Sequence, residues 1–360
     1  MSKLIVEVCE IKDIIPHPNA DNLEISIIKG WQTVTPRGKY HIGEKVIFIP
    51  PDALLPIPLV ERLGIKSYLS GPGNNKVKAV RLRGEMSFGL VMSLPEGSQW
   101  DIGYDCSNDL GITKYIPPIR LSLGDDAGYD PLFFTYTDIE NIRNFPDMFE
   151  NGEMVVATEK IDGTNCRIGI GRVEDGDFEW KAGSHRVKRK KTNDLSDNVY
   201  WYPYTLENFK RMIEDIHQSE KKEVICYGEV YGRVRGGHKS MHYGKPNNLN
   251  FVAFDIQLDG KYIDYCDFAR YCDLYQVPRA PLLDIFEFDF NAAKNLSTGK
   301  SVLALKNGIE HMREGSVIKP IKERQSPKGN RVIAKFINAD YVDLKEKSYS
   351  KGDIADYTDN

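Results

Sequence analysis

The sequence lacks the features that mark a secreted, zinc-stabilised or membrane-bound protein. Its six cysteines are scattered, and the absence of any C-x-x-C pair argues against a structural zinc site and a disulfide framework. No apolar run reaches the roughly 18 residues that a transmembrane helix needs, and the first residues lead into a strand-like run rather than a signal peptide. Internal repeats and low-complexity tracts are absent as well. These absences predict a protein of the reducing cytoplasm with no membrane contact.

A large excess of either positive or negative charge is also lacking. The chain has 48 Lys and Arg against 52 Asp and Glu, a net charge of −4, so bulk charge does not indicate nucleic-acid binding, although local clusters still can. What the chain does have is length: 360 residues with 41% hydrophobic side chains favour two globular domains.

Short strands divided by turns fill residues 1–98, which we predict to form the first domain. The strand-like runs are 4–8, 23–28, 45–49, 77–83 and 88–92. Five strands in so short a stretch indicate a small closed β-barrel of the OB type. Lys78, Arg81 and Arg83 in the fourth run are candidates for RNA binding, since such a barrel can hold a nucleic-acid backbone. The alternative is that these cations form a solvated sheet edge.

The rest of the chain predicts a connector and a second domain. Turn-forming residues at 116–119 and 124–128 interrupt regular structure, so we assign 99–130 to a connector. In 131–360, strands alternate with single helices, which is typical of an α+β domain with antiparallel sheets and flanking helices. One helix has apolar residues at helical spacing from Leu206 to Ile216, with Thr205 as its predicted N-cap.

Lys160 is the first candidate catalytic residue. It follows the apolar run 154–157, which predicts a buried strand, and precedes the turn-forming pair Asp162-Gly163. A lysine at a strand end can act as a nucleophile, provided that its pKa is depressed, because only the neutral amine attacks. The pattern K-x-D-G alone is weak, since it should occur by chance in roughly one chain in ten of this length.

Further segments downstream have the composition of a nucleotide pocket. They are Ser184-His185-Arg186 with the basic run 187–191, Glu229 between two glycines, Glu314-Gly315 with Lys319, and Lys335 within an apolar strand. Each has a plainer interpretation: a glutamate beside glycine is most often a surface turn, and a basic run is most often a solvated loop, although it also suits phosphates. Lys335 is harder to dismiss, because lysine is rarely buried without a partner. Within the basic run, Lys188 and Arg189 are candidates for RNA binding.

In this order, the segments resemble the nucleotidyltransferase motifs of the covalent ligase superfamily. The matching positions are Lys160-Ile161-Asp162-Gly163, Ser184-His185-Arg186, Glu229, 251–256, 314–319 and Lys335. The stretches 17–24, 43–46, 82–84 and 89–90 resemble the OB module of tRNA-binding domains, which is also the N-terminal domain of RNA ligases of the Deinococcus and Naegleria type. DNA ligases and capping guanylyltransferases usually carry an OB domain after the last lysine motif, where only residues 336–360 remain here. Asn165 in Gly-Thr-Asn is likewise typical of RNA ligases.

The resemblance implies an ATP-dependent RNA ligase that seals 3′-hydroxyl/5′-phosphate breaks through a lysyl-AMP intermediate, with a role in RNA repair. It implies Lys160 as the nucleophile, Lys319 and Lys335 as cations near the phosphates, and Mg²⁺ or Mn²⁺ held through water by Asp162, Glu229 and Glu314. Implied nucleotide contacts are Glu159 (through its backbone), Ile161, Gly163, Asn165, Arg186 and Phe254, the last stacked on adenine. The implied partner is a nicked RNA duplex, bound by a monomer.

Two positions depart from the family pattern. Ile333 stands where the family often has the first of two lysines, and Arg331 or Lys322 are the candidates to compensate. Asn141 stands where the family tends to have arginine. Two alternatives therefore stay open: a non-catalytic RNA-binding protein with a degenerate pocket, which Ile333 favours, and a guanylyltransferase of the mRNA-capping type.

Overall fold

The computed structural model describes residues 4–116, 127–192, 194–195, 198–232, 243, 248–342 and 344. These residues form two compact units. Unit 1 contains 4–116, Glu140–Asp147, Val342 and Leu344, and unit 2 contains the other described residues. The described residues include no helix that is both long and apolar enough to cross a membrane.

Unit 1 is built around a curled antiparallel sheet. Its strands are β1 (Glu7–Pro16), β2 (Leu23–Ile28), β3 (Trp31–Pro36), β4 (Lys45–Ile49), β5 (Ala53–Leu54), β6 (Val80–Leu82), β7 (Glu85–Ser87), β8 (Leu90–Ser93), β9 (Thr113–Lys114) and β10 (Glu140–Asn141). Its helices are α1 (Ile57–Leu63) and the 3₁₀ turns Lys66–Tyr68 and Ile142–Asn144. Five strands form the main sheet in the order β3-β2-β1-β4-β8, which confirms the predicted OB-type fold. The set of strands differs from the prediction: β3 was not predicted, and the predicted run 77–83 forms only the short β6, which pairs with β7 outside the main sheet.

The core of unit 1 lies on one face of this sheet. Val8 of β1 pairs directly with Ile47 of β4, and both are fully buried in one apolar cluster. Cys106 and Ile112 belong to the same cluster, although they fall in the stretch that we predicted as a connector. Residues 117–126 of the predicted connector lie outside the described residues, and the domain limits stay a prediction.

The segment Glu140–Asp147 belongs to unit 1, although residues of unit 2 precede and follow it along the chain. The guanidinium of Arg143 lies 5.5 Å from the Trp31 ring and 5.1 Å from the Phe88 ring, and the side chain is buried. Trp31 Nε1 donates a 2.8 Å hydrogen bond to Asn144 Oδ1. Cation–π contacts and this hydrogen bond therefore fasten the segment to the barrel.

Unit 2 contains two antiparallel sheets and four α-helices. Its strands are β11 (Met154–Lys160), β12 (Thr164–Arg172), β13 (Phe178–Gly183), β14 (Lys188–Arg189), β15 (Val224–Gly232), β16 (Leu249–Leu258), β17 (Lys261–Tyr262), β18 (Leu282–Glu287), β19 (Gly315–Pro320) and β20 (Ala334–Ile337). Its helices are α2 (Glu207–Glu220), α3 (Tyr265–Tyr275), α4 (Phe290–Leu296), α5 (Val302–Lys306) and the 3₁₀ turn Tyr202–Thr205. The large sheet has the order β14-β13-β12-β15-β16-β17, and the small sheet contains β20-β19-β11-β18. This arrangement confirms the predicted α+β class.

Helices α2 and α3 cover one face of the large sheet. The apolar stripe of α2 is buried against α3 and the sheet; its residues are Phe209, Met212, Ile213 and Ile216. The prediction of Thr205 as the N-cap of α2 is wrong: Leu206 holds that position, and the Thr205 hydroxyl donates to Tyr202 O inside the preceding 3₁₀ turn. Asn165 and Glu229 lie on the opposite face of the large sheet, because side chains alternate along a strand and their neighbours Cys166 and Val230 belong to the core beneath the helices.

Candidate active site

Strand register places the three predicted lysines on one face of the small sheet. Lys160 pairs with Gly315, and Val156, four residues earlier on β11, pairs with Lys319 of β19. Lys335 of β20 pairs with Val317 of β19. Side chains alternate between faces along a strand, and directly paired residues share a face, so Lys160, Lys319 and Lys335 point the same way.

Gly163 allows the turn after Lys160 to lie against β15 of the large sheet. A Cβ atom at this position would lie 2.5 Å from Val230 O and 2.9 Å from Glu229 Cγ, which no real side chain tolerates. The glycine of the K-x-D-G pattern is therefore required by the close approach of this turn to β15 rather than by a left-handed backbone. The approach brings Lys160 and Asp162 close to Glu229, which follows them by 69 and 67 residues in the sequence.

Lys160 is surrounded by acidic groups. Its Nζ donates to Glu314 Oε1 at 2.7 Å. Burial lowers the pKa of Lys160, but Glu314, Glu229 and Asp162 raise it by more, so the pKa lies above its usual value. A nucleophilic lysine requires a neutral amine. In this arrangement Lys160 is an ammonium ion, and it has to lose a proton before it can act as a nucleophile.

Glu229 is the carboxyl group whose protonation this environment changes most clearly. Burial, together with the negative charges of Glu314 and Asp162, raises its pKa to about 8 against the opposing effect of the Lys160 ammonium. Near neutral pH, and without a bound cation, Glu229 therefore holds a proton for much of the time.

This shift predicts how stability depends on pH in metal-free protein. The folded state keeps the Glu229 proton up to about pH 8, whereas the unfolded chain loses it near the ordinary pKa of 4.5, so the free energy of unfolding falls as pH rises through this window. Glu229→Gln has no proton to lose. Relative to wild type it should gain about 1–3 kcal/mol in unfolding free energy between about pH 5 and pH 9. Urea unfolding in EDTA measures this, with the exposed Glu220→Gln as control. Parallel pH curves for wild type and Glu229→Gln would contradict the assignment.

The acidic residues fit a divalent cation held through water. Within the described part of the chain, no three His, Cys, Asp or Glu side chains lie close enough to ligate one metal ion directly. Asp162, Glu229 and Glu314 nevertheless all act on the Lys160 ammonium. Mg²⁺ keeps several of its waters when bound, so a loose carboxylate cluster of this kind suits it, and the assignment of these ligands stays a prediction.

Two tyrosines hold Asp162, and sequence reasoning did not identify either. Tyr243 OH accepts a 2.9 Å hydrogen bond from the Asp162 backbone N–H. Tyr341 OH donates to Asp162 Oδ2 at 2.5 Å. Tyr341 follows Lys335 by six residues and lies outside every motif, so the sequence carried no signal for it.

Lys319 belongs to a buried ion network that joins the two sheets. Its Nζ donates to Asp255 Oδ1 of β16 at 2.6 Å, and Arg331 Nη2 donates to Asp255 Oδ2 at 2.7 Å. Glu323 accepts from Arg331 and lies 3.4 Å from Lys319. Burial raises the pKa of Asp255, but the two cations lower it by more, so the carboxylate stays charged. Arg331 is thus held by the carboxylates of Asp255 and Glu323, so it is a poorer candidate to replace the lysine that the family often has at the position of Ile333.

The two departures from the family pattern have structural explanations. Ile333 is buried in a cluster with Phe133, Tyr136 and Tyr227, where an apolar side chain is well accommodated. Asn141 caps the 3₁₀ turn Ile142–Asn144, since its Oδ1 accepts from Arg143 N at 3.1 Å. Lys322, the other candidate to compensate for Ile333, is exposed.

Glu159 has a structural role besides its predicted backbone contact with adenine. Its Oε2 accepts hydrogen bonds from Val302 N at 2.8 Å and Leu303 N at 3.2 Å, which satisfies the first N–H groups of α5. Its own backbone N–H donates to Pro281 O at 2.8 Å. Burial raises the pKa of this carboxyl group above its usual value. The adenine contact stays a prediction.

The other residues predicted to contact the nucleotide differ in their burial and in the residues that they contact. Asn165 pairs with Glu229 across β12 and β15, and within the described residues its buried Oδ1 has no hydrogen-bond partner. Its contact with the nucleotide stays a prediction. Phe254 packs edge-to-face on Tyr136 with ring centroids 4.9 Å apart. Ile161 is buried in a small apolar cluster, and Arg186 is half-buried in the turn before β14.

The predicted RNA-binding cations divide into two groups. In unit 1, Arg81 on β6 and Arg83 in the β6–β7 turn are exposed, whereas Lys78 precedes the strand, which begins only at Val80. In unit 2, Lys188 Nζ lies 3.0 Å from Glu179, and the buried guanidinium of Arg189 lies 4.8 Å from the Tyr200 ring. This geometry favours a structural role for Arg189. RNA contact by all five stays a prediction.

Comparisons with known proteins agree with this arrangement. A sequence model of an OB-fold domain matches residues 5–94, whereas curated proteins gave no match. The Naegleria gruberi RNA ligase with PPi is 23% identical, with a TM-score of 0.74 over 96% of this chain and 99% of that one. A mutant of that ligase with ATP and Mn is 22% identical, with a TM-score of 0.73 over 96% and 99%. At this identity the likeness establishes the fold.

A further match, to a sequence family, covers the residues of the candidate site. A sequence model of the RNA ligase family matches residues 153–337, about half of the chain, from the strand that ends in Lys160 to the strand that holds Lys335. This protein therefore belongs to the RNA ligase family.

Proposed function

We propose that this protein is an ATP-dependent RNA ligase that seals breaks between a 3′-hydroxyl and a 5′-phosphate. The observation that carries the proposal is the lysine at the end of β11, whose amine lies 2.7 Å from Glu314 and is influenced by Asp162 and Glu229. Membership of the RNA ligase family supports RNA as the substrate. The related ligase has been observed with ATP, AMP and Mn, which supports ATP as co-substrate and Mg²⁺ or Mn²⁺ as cofactor.

In the first step, the neutral amine of Lys160 attacks the α-phosphorus of ATP. The P–N bond of lysyl-AMP forms while the P–O bond to the leaving pyrophosphate breaks, and the amine gives up a proton. Glu314 is the group nearest to this proton. Because negative charge gathers on the departing phosphates, cations that face the site stabilise the transition state, and Lys335 lies on the correct face of the small sheet for this role.

In the second step, an oxygen of the RNA 5′-phosphate attacks the AMP phosphorus and the P–N bond breaks, which returns the electron pair and a proton to Lys160. In the third step, the 3′-hydroxyl attacks the activated 5′-phosphate, a phosphodiester bond forms, and AMP leaves. Asn165 and Arg186 are the proposed contacts to the nucleotide or the 5′-phosphate.

A divalent cation supplies Lewis-acid stabilisation of the phosphates when it is bound. We assign Asp162, Glu229 and Glu314 as the residues that hold it through water. Their negative charge raises the pKa of Lys160 in the metal-free protein, so neutralising them favours the free amine. Unit 1, with Arg81 and Arg83 exposed on one hairpin, is the proposed RNA-binding barrel, and we propose that the protein acts as a monomer on nicked duplexes.

Sealing of nicked duplexes tests the reaction and its RNA preference together. We expect ATP and Mn²⁺ to support sealing, and a 3′-terminal ribose to be joined about ten- to a hundredfold faster than a 3′-terminal deoxyribose, because the 2′-hydroxyl is the group that distinguishes RNA. Gel analysis of nicks that differ only in this sugar measures the ratio. Faster sealing of the all-DNA nick would overturn the RNA assignment. Activity with GTP alone would favour a guanylyltransferase, and RNA binding without sealing would favour the non-catalytic alternative.

A further inference from the structure

The segment Asn338–Tyr341, directly after β20, contacts two of the acidic residues of the site. Asn338 N donates to Glu314 O at 2.8 Å, and Asn338 Nδ2 donates to Arg313 O at 3.0 Å. Three residues later, Tyr341 OH donates to the Asp162 carboxylate. One short segment thus contacts the backbone at Glu314 and the side chain of Asp162, which are 152 residues apart in sequence.

Tyr341 is itself held firmly. Its side chain is 2% exposed, and its ring packs edge-to-face on His311 with centroids 5.9 Å apart. A carboxylate can only accept hydrogen bonds, so the Tyr341 hydroxyl is the donor in its contact with Asp162.

The hydrogen bond acts directly on the Asp162 carboxylate. Asp162 lies in the turn between β11 and β12, outside both sheets, and its backbone N–H is held by Tyr243 OH. The terminal torsion of an aspartate is broad, and a donor fixed on Oδ2 narrows it, because a hydrogen bond from an immobile side chain favours one orientation of the two oxygens.

We propose that Tyr341 is a positioning residue, which orients the Asp162 carboxylate for a divalent cation and its bound ATP. The inference rests on the proposed function in assigning Asp162 to the cation. It adds a residue outside all of the nucleotidyltransferase motifs, and it gives the segment after the last lysine motif a role in the first step.

Tyr341→Phe tests this, because it keeps the ring and removes only the hydroxyl. In a Lys160→Met background, which cannot react, calorimetry should show Mn²⁺·ATP binding about tenfold weaker after Tyr341→Phe. In the reactive protein, the Mn²⁺ concentration for half-maximal labelling with α-labelled ATP should rise by a similar factor, whereas the rate at saturating Mn²⁺ should change little. A loss of folded protein would instead lower the amplitude at every Mn²⁺ concentration.

The matched control is Tyr275→Phe. Tyr275 OH donates to Asp215 Oδ2 at 2.8 Å, so this variant removes the same kind of bond on α3 and α2, away from the site. Unchanged Mn²⁺·ATP affinity in both variants would overturn the inference. If wild type takes up no label, the proposed function fails, whereas the calorimetric comparison still decides the role of Tyr341.

A double-mutant cycle separates action through Asp162 from a general effect. Asp162→Asn should weaken Mn²⁺·ATP binding on its own, and adding Tyr341→Phe should then weaken it by less than twofold, because the carboxylate that Tyr341 orients is already gone. Independent effects, which multiply in the double variant, would contradict the proposal even if every variant folds normally.

Discussion

Replacing Lys160 with alanine should abolish covalent labelling by α-labelled ATP, lowering it by at least about a thousandfold. The amine is the atom to which AMP would be attached, and no other lysine has its position at the end of β11 beside Glu314. Lys319 shares the same face of the small sheet, but its buried ammonium donates a hydrogen bond to Asp255. It cannot serve as a second nucleophile without breaking this ion network.

The measurement is the amount of label that remains on the protein in a denaturing gel after incubation with Mn²⁺. Lys294→Ala is a suitable control, because Lys294 is exposed on α4, and we expect it to label as wild type does. Equal labelling of Lys160→Ala and wild type would remove the catalytic assignment. Labelling should also need the divalent cation, since the acidic residues around Lys160 otherwise keep its amine protonated.

Asp255→Ala should cost about 3–5 kcal/mol in the free energy of unfolding, the largest stability effect that we expect from a single substitution here. The Asp255 side chain is 1% exposed and accepts from two buried cations, Lys319 and Arg331, which are each 6% exposed. Removing it leaves two positive charges in the interior with Glu323 as their remaining acidic partner. The loss arises from uncompensated charge rather than from the strength of either pair.

Chemical denaturation at neutral pH measures this effect, and an exposed pair of similar length is the control. Lys300 Nζ lies 2.7 Å from Glu310 Oε1, with exposures of 59% and 72%. Glu310→Ala should therefore cost no more than about 1 kcal/mol. Similar losses in the two variants would show that the buried network contributes no more than a surface ion pair.

Local patterns predicted much of this protein, because many of its determinants are local. The limits of β2 and β4 follow from short strand-like runs bounded by turn residues, and both were predicted as observed. Lys160, Asp162 and Gly163 lie where a strand followed by a turn should place them. Strand register then brings Glu229 to the same site, which spacing alone could not determine.

The features that sequence reasoning missed depend on contacts between distant residues. Tyr341 reaches Asp162 across 179 positions, and Arg331 reaches Asp255 across 76. Glu159 caps a helix that begins 143 residues later. None of these contacts leaves a periodic or motif signal. The Thr205 error has a local cause, since its hydroxyl bonds within the preceding 3₁₀ turn, a competitor that the helical pattern does not indicate.

The position of Arg143 has a consequence for how the barrel can be separated from the rest of the chain. A fragment that stops at residue 116 would keep every strand of the barrel sheet but lose Arg143 and Asn144. The Trp31 indole would then lack its acceptor, and the Trp31 and Phe88 rings would lose the guanidinium that covers them. The barrel is therefore discontinuous in sequence, and no single cut in the chain excises it whole. Domain swaps between relatives have to carry the 140–147 segment along with the barrel.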